Sequence, residues 1–160
     1  MKKLLLVCMG NICRSPMAHA VLKTLAAREG AAPAISVDSA GTHASHIGEK
    51  PDPRGEAALL RRGYEMGRMR SRKVSDQDFF KFDLILAMDA SNLATLRQIC
   101  PDDQSHKLKL FLEFGSTSDL AGKFPEVPDP YYGNAAGFDH VLDLCEVGAR
   151  QILANRSAIP

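Results

Sequence analysis

The sequence predicts a single-domain α/β fold, a three-layer, Rossmann-like sandwich in which a four-stranded parallel sheet of order 2-1-3-4 carries helices on both faces. Short apolar runs of strand length alternate with segments of helical periodicity along the chain. Parallel strands need long crossovers, and helices supply them. A length of 160 residues with 45% hydrophobic content is enough for one core and too little for two comfortable domains. The expected domain spans 1–156, with a short tail over 157–160.

Leu4 to Val7 is an unbroken apolar run flanked by lysines, the pattern of a strand covered on both faces. A loop follows, and Ser15-Pro16 reads as an N-cap and first-turn pair for a helix. In that helix Met17, Val21, Leu22 and Leu25 recur at helical spacing until Gly30. Ile35 to Asp38 is the second strand, followed by a polar loop from Ser39 to Pro51 and a helix from about Pro53 to Arg62 that Gly63 terminates. Asp83 to Met88 is the third strand, Ser91 to Ile99 a helix stopped by Pro101, and Lys107 to Phe111 the fourth strand. The last helix runs from about Ala135 to Ala154. Gly122 to Gly137 breaks the rhythm with three prolines, Asp129 and adjacent tyrosines. Such a stretch in a compact domain is a surface loop, expected over the carboxyl ends of the strands, where open α/β sheets bind ligands.

Composition excludes several classes of function. Twenty Lys plus Arg against 19 Asp plus Glu give a net charge of +1, so no nucleic-acid partner is expected and any phosphate recognition must be local. The apolar run after Lys2-Lys3 is too short for a secretory signal, and no stretch reaches the ~18 apolar residues of a membrane span. A cytoplasmic protein is expected, with secretion lacking a conventional signal left open. Four cysteines are too few for a disulfide scaffold and read as free thiols. No CxxC, HxxxH or HExxH spacing occurs, so neither a metal nor a cofactor is expected.

The chemistry concentrates in Cys8-Met9-Gly10-Asn11-Ile12-Cys13-Arg14-Ser15, where a Cys and an Arg stand five residues apart between the first strand and the first helix. A loop curling there turns successive backbone N–H groups inward, and the helix amino-terminus adds about half a positive charge. The result is an anion cradle with Cys8 at its base. A helix amino-terminus and a neighbouring guanidinium favour a thiolate over a thiol, which makes the sulfur a nucleophile. Arg14 offers a planar fork matched to two phosphate oxygens, which lysine cannot imitate. Ser15 is placed to donate a hydrogen bond to the sulfur. The plainer reading is a small core cysteine ending a strand; placement on a strand-loop-helix turn with Gly, Asn and Ser-Pro weighs against it. Neither GxGxxG nor GxxxxGK[ST] is present, which argues against dinucleotides and nucleoside triphosphates.

VCMGNICRSPMAHAVL near the start and DPYYG near the end resemble the low-molecular-weight protein-tyrosine phosphatase family. VDSAGT (Val37 to Thr42), PDPRG (Pro51 to Gly55) and FDLILAMDASN (Phe82 to Asn92) resemble it in the expected order, so the likeness covers nearly the whole chain. The resemblance implies hydrolysis of phosphotyrosine and small aryl phosphates through a phosphocysteine. Cys8 would attack phosphorus. Met9, Gly10, Asn11, Ile12, Cys13 and Ser15 would hold the phosphoryl oxygens together with Arg14, and Asp129 would serve as general acid and then base. Tyr131 and Tyr132 would flank the cleft and are implied phosphorylation sites. Asn11 would support the loop through Ser39, and Cys13 would close a reversible disulfide with Cys8 under oxidation. Phosphotyrosine proteins, a tyrosine kinase among them, are the implied partners, with inorganic phosphate or other oxyanions in the site and a monomer or weak homodimer as the assembly.

Two departures stand out. Many relatives carry histidine where this chain has Met69, in the network that supports the loop. Relatives often place an aromatic residue where this chain has Ser45, in the run His43-Ala44-Ser45-His46-Ile47. Arg68 and Arg70 read as solvated charges, His19, His106 and His140 as surface residues, and Cys100 and Cys145 as non-catalytic thiols. The rival readings are an arsenate reductase on the same scaffold, a phosphotyrosine-binding module without turnover, and a thiol redox protein. The first needs a further cysteine pair that Ile85 to Arg97 lacks, the second has no use for a proton donor, and the third lacks CxxC spacing.

Overall fold

In the computed structural model, which describes residues 1–116 and 125–160, four strands pair in parallel in the order β2-β1-β3-β4. They are β1 (Lys2–Cys8), β2 (Ile35–Gly41), β3 (Leu84–Ala87) and β4 (Leu108–Leu110). β1 is central. Leu4 pairs with Val37 on one side and Leu84 on the other, so every backbone group of its apolar run is satisfied within the sheet. Side chains alternate between faces. Leu4, Leu6 and Cys8 enter the larger core cluster with Met17, Val21, Leu22, Phe138, Leu142 and Ile152. Leu5 and Val7 enter the opposite cluster with Phe79, Phe82, Leu93 and Leu96. At about 1.5–3 kcal/mol for each fully buried aliphatic side chain, this two-sided burial dominates the stability of the strand.

Helices α1 (Arg14–Arg28), α2 (Pro53–Arg61) and α5 (Ala135–Ala154) cover the first face. The short α3 (Asp78–Lys81) and α4 (Ala90–Ile99) cover the second. The expected boundaries hold to within a residue or two except at β2, which runs three residues past the expected Asp38 because Ser39, Ala40 and Gly41 pair with Leu6, Val7 and Cys8. 3-10 turns are added at Ala32–Ala34, Asp102–Lys107 and Arg156–Ala158. Gly30 and Gly63 close α1 and α2 with φ of 69° and 81°, the left-handed conformation that glycine adopts without penalty. α3 has no counterpart among the expected elements, because four residues are too few to show a period.

One expected cap is corrected. α1 starts at Arg14 with Cys13 in the cap position, and no side chain caps it. Ser15 lies inside the helix because its hydroxyl faces Cys8 and Asn11 rather than the amides of its own first turn. Residues 117–124, which include the first three positions of the expected Gly122 to Gly137 loop, lie outside the described residues. The rest of that loop meets the sheet end, where Val127 N–H donates to the Met88 carbonyl at 2.8 Å. Ile159 is buried in the core, and Lys2 Nζ donates to the Pro160 carbonyl at 2.7 Å. Among the described residues, no helix is long and apolar enough to cross a membrane.

Candidate active site

The carboxyl end of β1, the loop after β2 and the loop before α5 converge on one cleft of about 290 Å³, lined by Cys8, Cys13, Arg14, His46, Asp129 and Tyr131 among others. Its floor is the turn from β1 into α1. Carbonyl groups of this turn are tied outward. Cys8 accepts from Thr42 N–H at 2.9 Å and Met9 from His43 N–H at 3.0 Å. Ile12 accepts from Asp52 N–H at 2.8 Å, Cys13 from Met17 N–H at 3.2 Å, and Gly10 from the Ser71 hydroxyl at 2.8 Å. Because a trans peptide directs its N–H opposite to its C=O, outward carbonyls turn the amides toward the centre. Among the described residues, no protein group accepts from the N–H groups of Met9 to Ser15. Those donors, added to the uncapped amino-terminus of α1, make a nest suited to a tetrahedral anion.

Two close approaches shape the nest. A Cβ on Gly41 would lie 2.6 Å from the Met9 carbonyl oxygen, so only glycine lets β2 pass there. A Cβ on Gly10 would meet His46 Cδ2 at 2.8 Å, so the His46 ring rests on the loop itself. Asn11 holds a left-handed φ of 57° and is buried. Its side chain compensates for the strain: Nδ2 donates to Ser15 Oγ at 2.8 Å and Ser39 Oγ at 3.1 Å, while Oδ1 accepts from Arg72 N–H at 3.0 Å. The expected pairing of Asn11 with Ser39 is therefore present. Ser15 Oγ stands 3.1 Å from Cys8 Sγ. Met69 packs against the core. His19, read from sequence as a surface residue, is half-buried with Nδ1 3.4 Å from Ser39 Oγ, and burial pushes its pKa down to about 4. It escaped notice because a lone histidine on a helix carries no spacing signal.

Arg14 is 2% exposed and held from three sides. Nη1 donates to Asp89 Oδ2 at 2.5 Å and to the Val127 carbonyl at 3.1 Å, and Nη2 lies 3.7 Å from Asp129 Oδ2. Asp89 also caps α4, accepting from Asn92 N–H at 2.7 Å. Asp129 sits at the rim with its side chain 38% exposed, and its Oδ1 accepts from Tyr131 N–H at 3.1 Å in a tight turn. Arg54 secures the rim from α2: Nη2 donates to Asp52 at 2.9 Å and to the Tyr131 carbonyl at 2.9 Å, and its guanidinium lies over the Phe138 ring. This hydrogen-bonded pairing holds the Asp52 carboxyl below its usual range. Cys13 is the contrary case. Burial, reinforced by Asp52, pushes its thiol up to about 12.

The rim is aromatic on one side. Tyr131 and Tyr132 meet edge to face at 4.9 Å between centroids, and His46 stands 6.0 Å from Tyr131 with its Nδ1 2.7 Å from Glu49 Oε2. Ser45 also lines the cleft, but His46 is the ring on that wall. The structure thus brings Cys8, Met9, Gly10, Ile12, Cys13, Arg14, Asp129, Tyr131 and Tyr132 to one cleft, with Asn11, Ser15 and Ser39 behind it. Sequence reasoning did not single out Asp89, Arg54 or Arg72. A cap signal in Asp89-Ala90-Ser91-Asn92 was the one available cue. Among the described residues, no group of His, Cys, Asp or Glu could hold a metal ion.

Comparison with known proteins agrees with this geometry. A family model described as low molecular weight phosphotyrosine protein phosphatase matches residues 3–158. The chain is 42% identical over 155 residues to the low molecular weight protein-tyrosine-phosphatase YfkJ of Bacillus subtilis, covering 97% of this chain and 96% of that one. It is 38% identical over 149 residues to the human low molecular weight phosphotyrosine protein phosphatase, covering 90% of this chain and 89% of that one. It superposes on the protein tyrosine phosphatase of Entamoeba histolytica, crystallised with Hepes in its active site, with a TM-score of 0.91 at 38% identity, covering 99% of this chain and 98% of that one. With a cysteine-arginine nest at the end of its first strand and relatives matched over nearly its whole length, the chain belongs to the low molecular weight phosphotyrosine protein phosphatase family.

Proposed function

We propose that this chain hydrolyses phosphotyrosine in proteins, and small aryl phosphates, through a phosphocysteine intermediate. The observation that carries the reading is the nest whose carbonyls are bound outward around Cys8, with Arg14 beside it and Asp129 at its rim. In the first step Cys8 Sγ attacks phosphorus and the bond to the phenolic oxygen breaks. Asp129 delivers its proton to that oxygen. In the second step Asp129 takes a proton from water as the water oxygen attacks phosphorus, the S–P bond breaks, and inorganic phosphate leaves. The inward N–H groups and Arg14 stabilise the equatorial oxygens throughout. An arriving dianion engages Arg14 beside Asp129. The rim of His46, Tyr131 and Tyr132 offers aromatic surface to a phenyl ring.

Cys13 is the redox partner in this reading. A Cys8 sulfenic acid condenses with the Cys13 thiol, forming the S–S bond and releasing water. Support comes from the two sulfurs sharing one loop and one cleft. Phosphotyrosine proteins, a tyrosine kinase among them, are the proposed partners in a cytoplasmic setting.

Release of p-nitrophenol from its phosphate tests the assignment. Wild type turns over, vanadate inhibits, and Cys8→Ser is silent. Asp129→Ala loses far more rate on esters of poor leaving groups than on p-nitrophenyl phosphate, because acid assistance matters most for the former. Equal losses on both kinds of ester exclude Asp129 as the proton donor.

A further inference from the structure

We propose that His19 is a positioning residue: from behind the nest, its neutral imidazole accepts the Ser39 hydroxyl proton and so fixes the chain Ser39, Asn11, Ser15 that orients the sulfur of Cys8. The proposal rests on the reading of Cys8 as the nucleophile and adds to it the residue that closes its hydrogen-bond support.

Counting hydrogens leads to it. Asn11 Nδ2 has two, and the two serine hydroxyls at 2.8 and 3.1 Å take them. Asn11 Oδ1 is occupied by Arg72 N–H at 3.0 Å. Each serine oxygen is therefore an acceptor toward Asn11 and keeps one hydrogen to give. The hydrogen of Ser15 points to Cys8 Sγ at 3.1 Å, with the Ala40 carbonyl more distant at 3.5 Å. The hydrogen of Ser39 has His19 Nδ1 at 3.4 Å. That assigns the lone pair to Nδ1 and the ring proton to Nε2. A proton on Nδ1 would set two donors against Ser39 Oγ and leave its own hydrogen without a place in the chain.

The position matters because Asn11 is, among the described residues, the one non-glycine with positive φ. Its side-chain bonds are what compensate for that conformation, so a fault at Ser39 reaches the nest directly. Met69, packed against the core nearby, has no strong donor or acceptor to contribute. The imidazole is kept neutral by its setting. Burial is the largest influence; Asp38 favours the cation and Lys23 opposes it, and the outer edge of the ring opens on a cleft that also bears Arg28, Glu65 and Arg68. Burial prevails and puts the pKa at about 4.

The test compares His19→Leu, which keeps bulk and removes the acceptor, with His19→Asn, whose amide oxygen stands near the Nδ1 position. Two readouts are taken at pH 7 on each folded protein: kcat and KM with p-nitrophenyl phosphate, and the rate of Cys8 alkylation by iodoacetamide. For His19→Leu we expect kcat and the alkylation rate to fall about fivefold, the worth of one hydrogen bond, with KM changed less than about twofold. His19→Asn recovers most of both. Wild type, but not His19→Asn, shows an added loss of alkylation rate as pH falls from 6 toward 4. The proposal is overturned if folded His19→Leu matches wild type, if folded His19→Asn is as slow as His19→Leu, or if the two pH profiles coincide. Should His19→Leu fail to fold, His19→Asn and its pH profile decide alone. A wild type that releases no p-nitrophenol defeats the phosphatase reading instead, while the alkylation arm still judges His19.

Discussion

Asp89 is the residue on which the orientation of Arg14 depends, and its removal has a magnitude that the structure fixes. Arg14 is 2% exposed and the Asp89 side chain 22%, so the pair is largely out of water. Deleting one partner of a buried pair costs about 3–5 kcal/mol, because the other charge is left uncompensated. The Val127 carbonyl and Asp129 remain as weaker partners for Arg14 and hold the loss near the lower figure. Asp89 also caps α4 through Asn92 N–H, worth about 1 kcal/mol. Asp89→Ala is therefore expected to lose about 4 kcal/mol, and Asp89→Asn, which keeps a capping oxygen, about 3. For 160 residues at about 2.1 cal/mol/K per residue, the unfolding entropy is about 0.34 kcal/mol/K, so the two melting temperatures fall by about 12 and 9 °C. Thermal unfolding followed by circular dichroism measures both. Saturating inorganic phosphate should restore more of the loss in Asp89→Ala than it adds to wild type, since the anion then satisfies Arg14. A fall of less than about 3 °C in Asp89→Ala, equivalent to about 1 kcal/mol, would refute the idea that Asp89 holds the guanidinium.

Further outcomes follow from other contacts. A Cβ on Gly148 would stand 2.3 Å from Cε1 of the fully buried Phe111. The overpacking in Gly148→Ala outweighs the ~1 kcal/mol gain in helix propensity, for a net loss of about 2 kcal/mol in urea unfolding; a stabilised variant would contradict the packing. His19 gives a pH dependence of known sign. Its pKa falls from 6.5 to about 4 on folding, so the unfolded chain binds the proton first. Stability is complete above pH 6.5 and declines toward pH 4, by up to about 3 kcal/mol at 1.36 kcal/mol per pH unit. Urea midpoints at pH 7 and 4.5 should separate less in His19→Asn than in wild type. Asp78 adds to acid sensitivity in the same direction: burial raises its pKa, but the hydrogen bonds from Arg72 and Ser75 together with the Arg72 charge outweigh this and hold it low, so its contribution is lost below the ordinary carboxylate range.

The strand and helix positions and the nest were legible because each leaves a local mark, whereas the sheet order rests on pairings such as Leu4 with Val37 and Leu84 that no single segment carries. Leu4 to Val7 reads as a doubly covered strand without reference to any other segment, and Cys8 and Arg14 lie in one loop. What escaped is non-local or silent in residue type. Asp89 meets Arg14 across 75 positions, and in sequence it resembles a helix cap, which it also is. Arg72 supports Asn11 through a backbone N–H that any residue but proline would provide. The rule that Ser before Pro caps a helix failed at Ser15 because its hydroxyl has partners from the loop and from Cys8 that local reasoning cannot see. His19 is half-buried only because β2 brings Ser39 against α1.

The outward-tied carbonyls divide labour within the catalytic cleft. A ring of amides fastened to Thr42, His43, Asp52 and Ser71 is rigid before anything enters, so it recognises a tetrahedral shape and charge and little else. Under the proposed function, choice among phosphorylated partners then falls to His46 and the tyrosines, and Tyr132 is 94% exposed. His46 rests against the frame at Gly10, whereas the tyrosines hang on a segment outside it; under that function it is the tyrosines that can be exchanged to retune partner choice while the machinery for breaking the ester stays as it is.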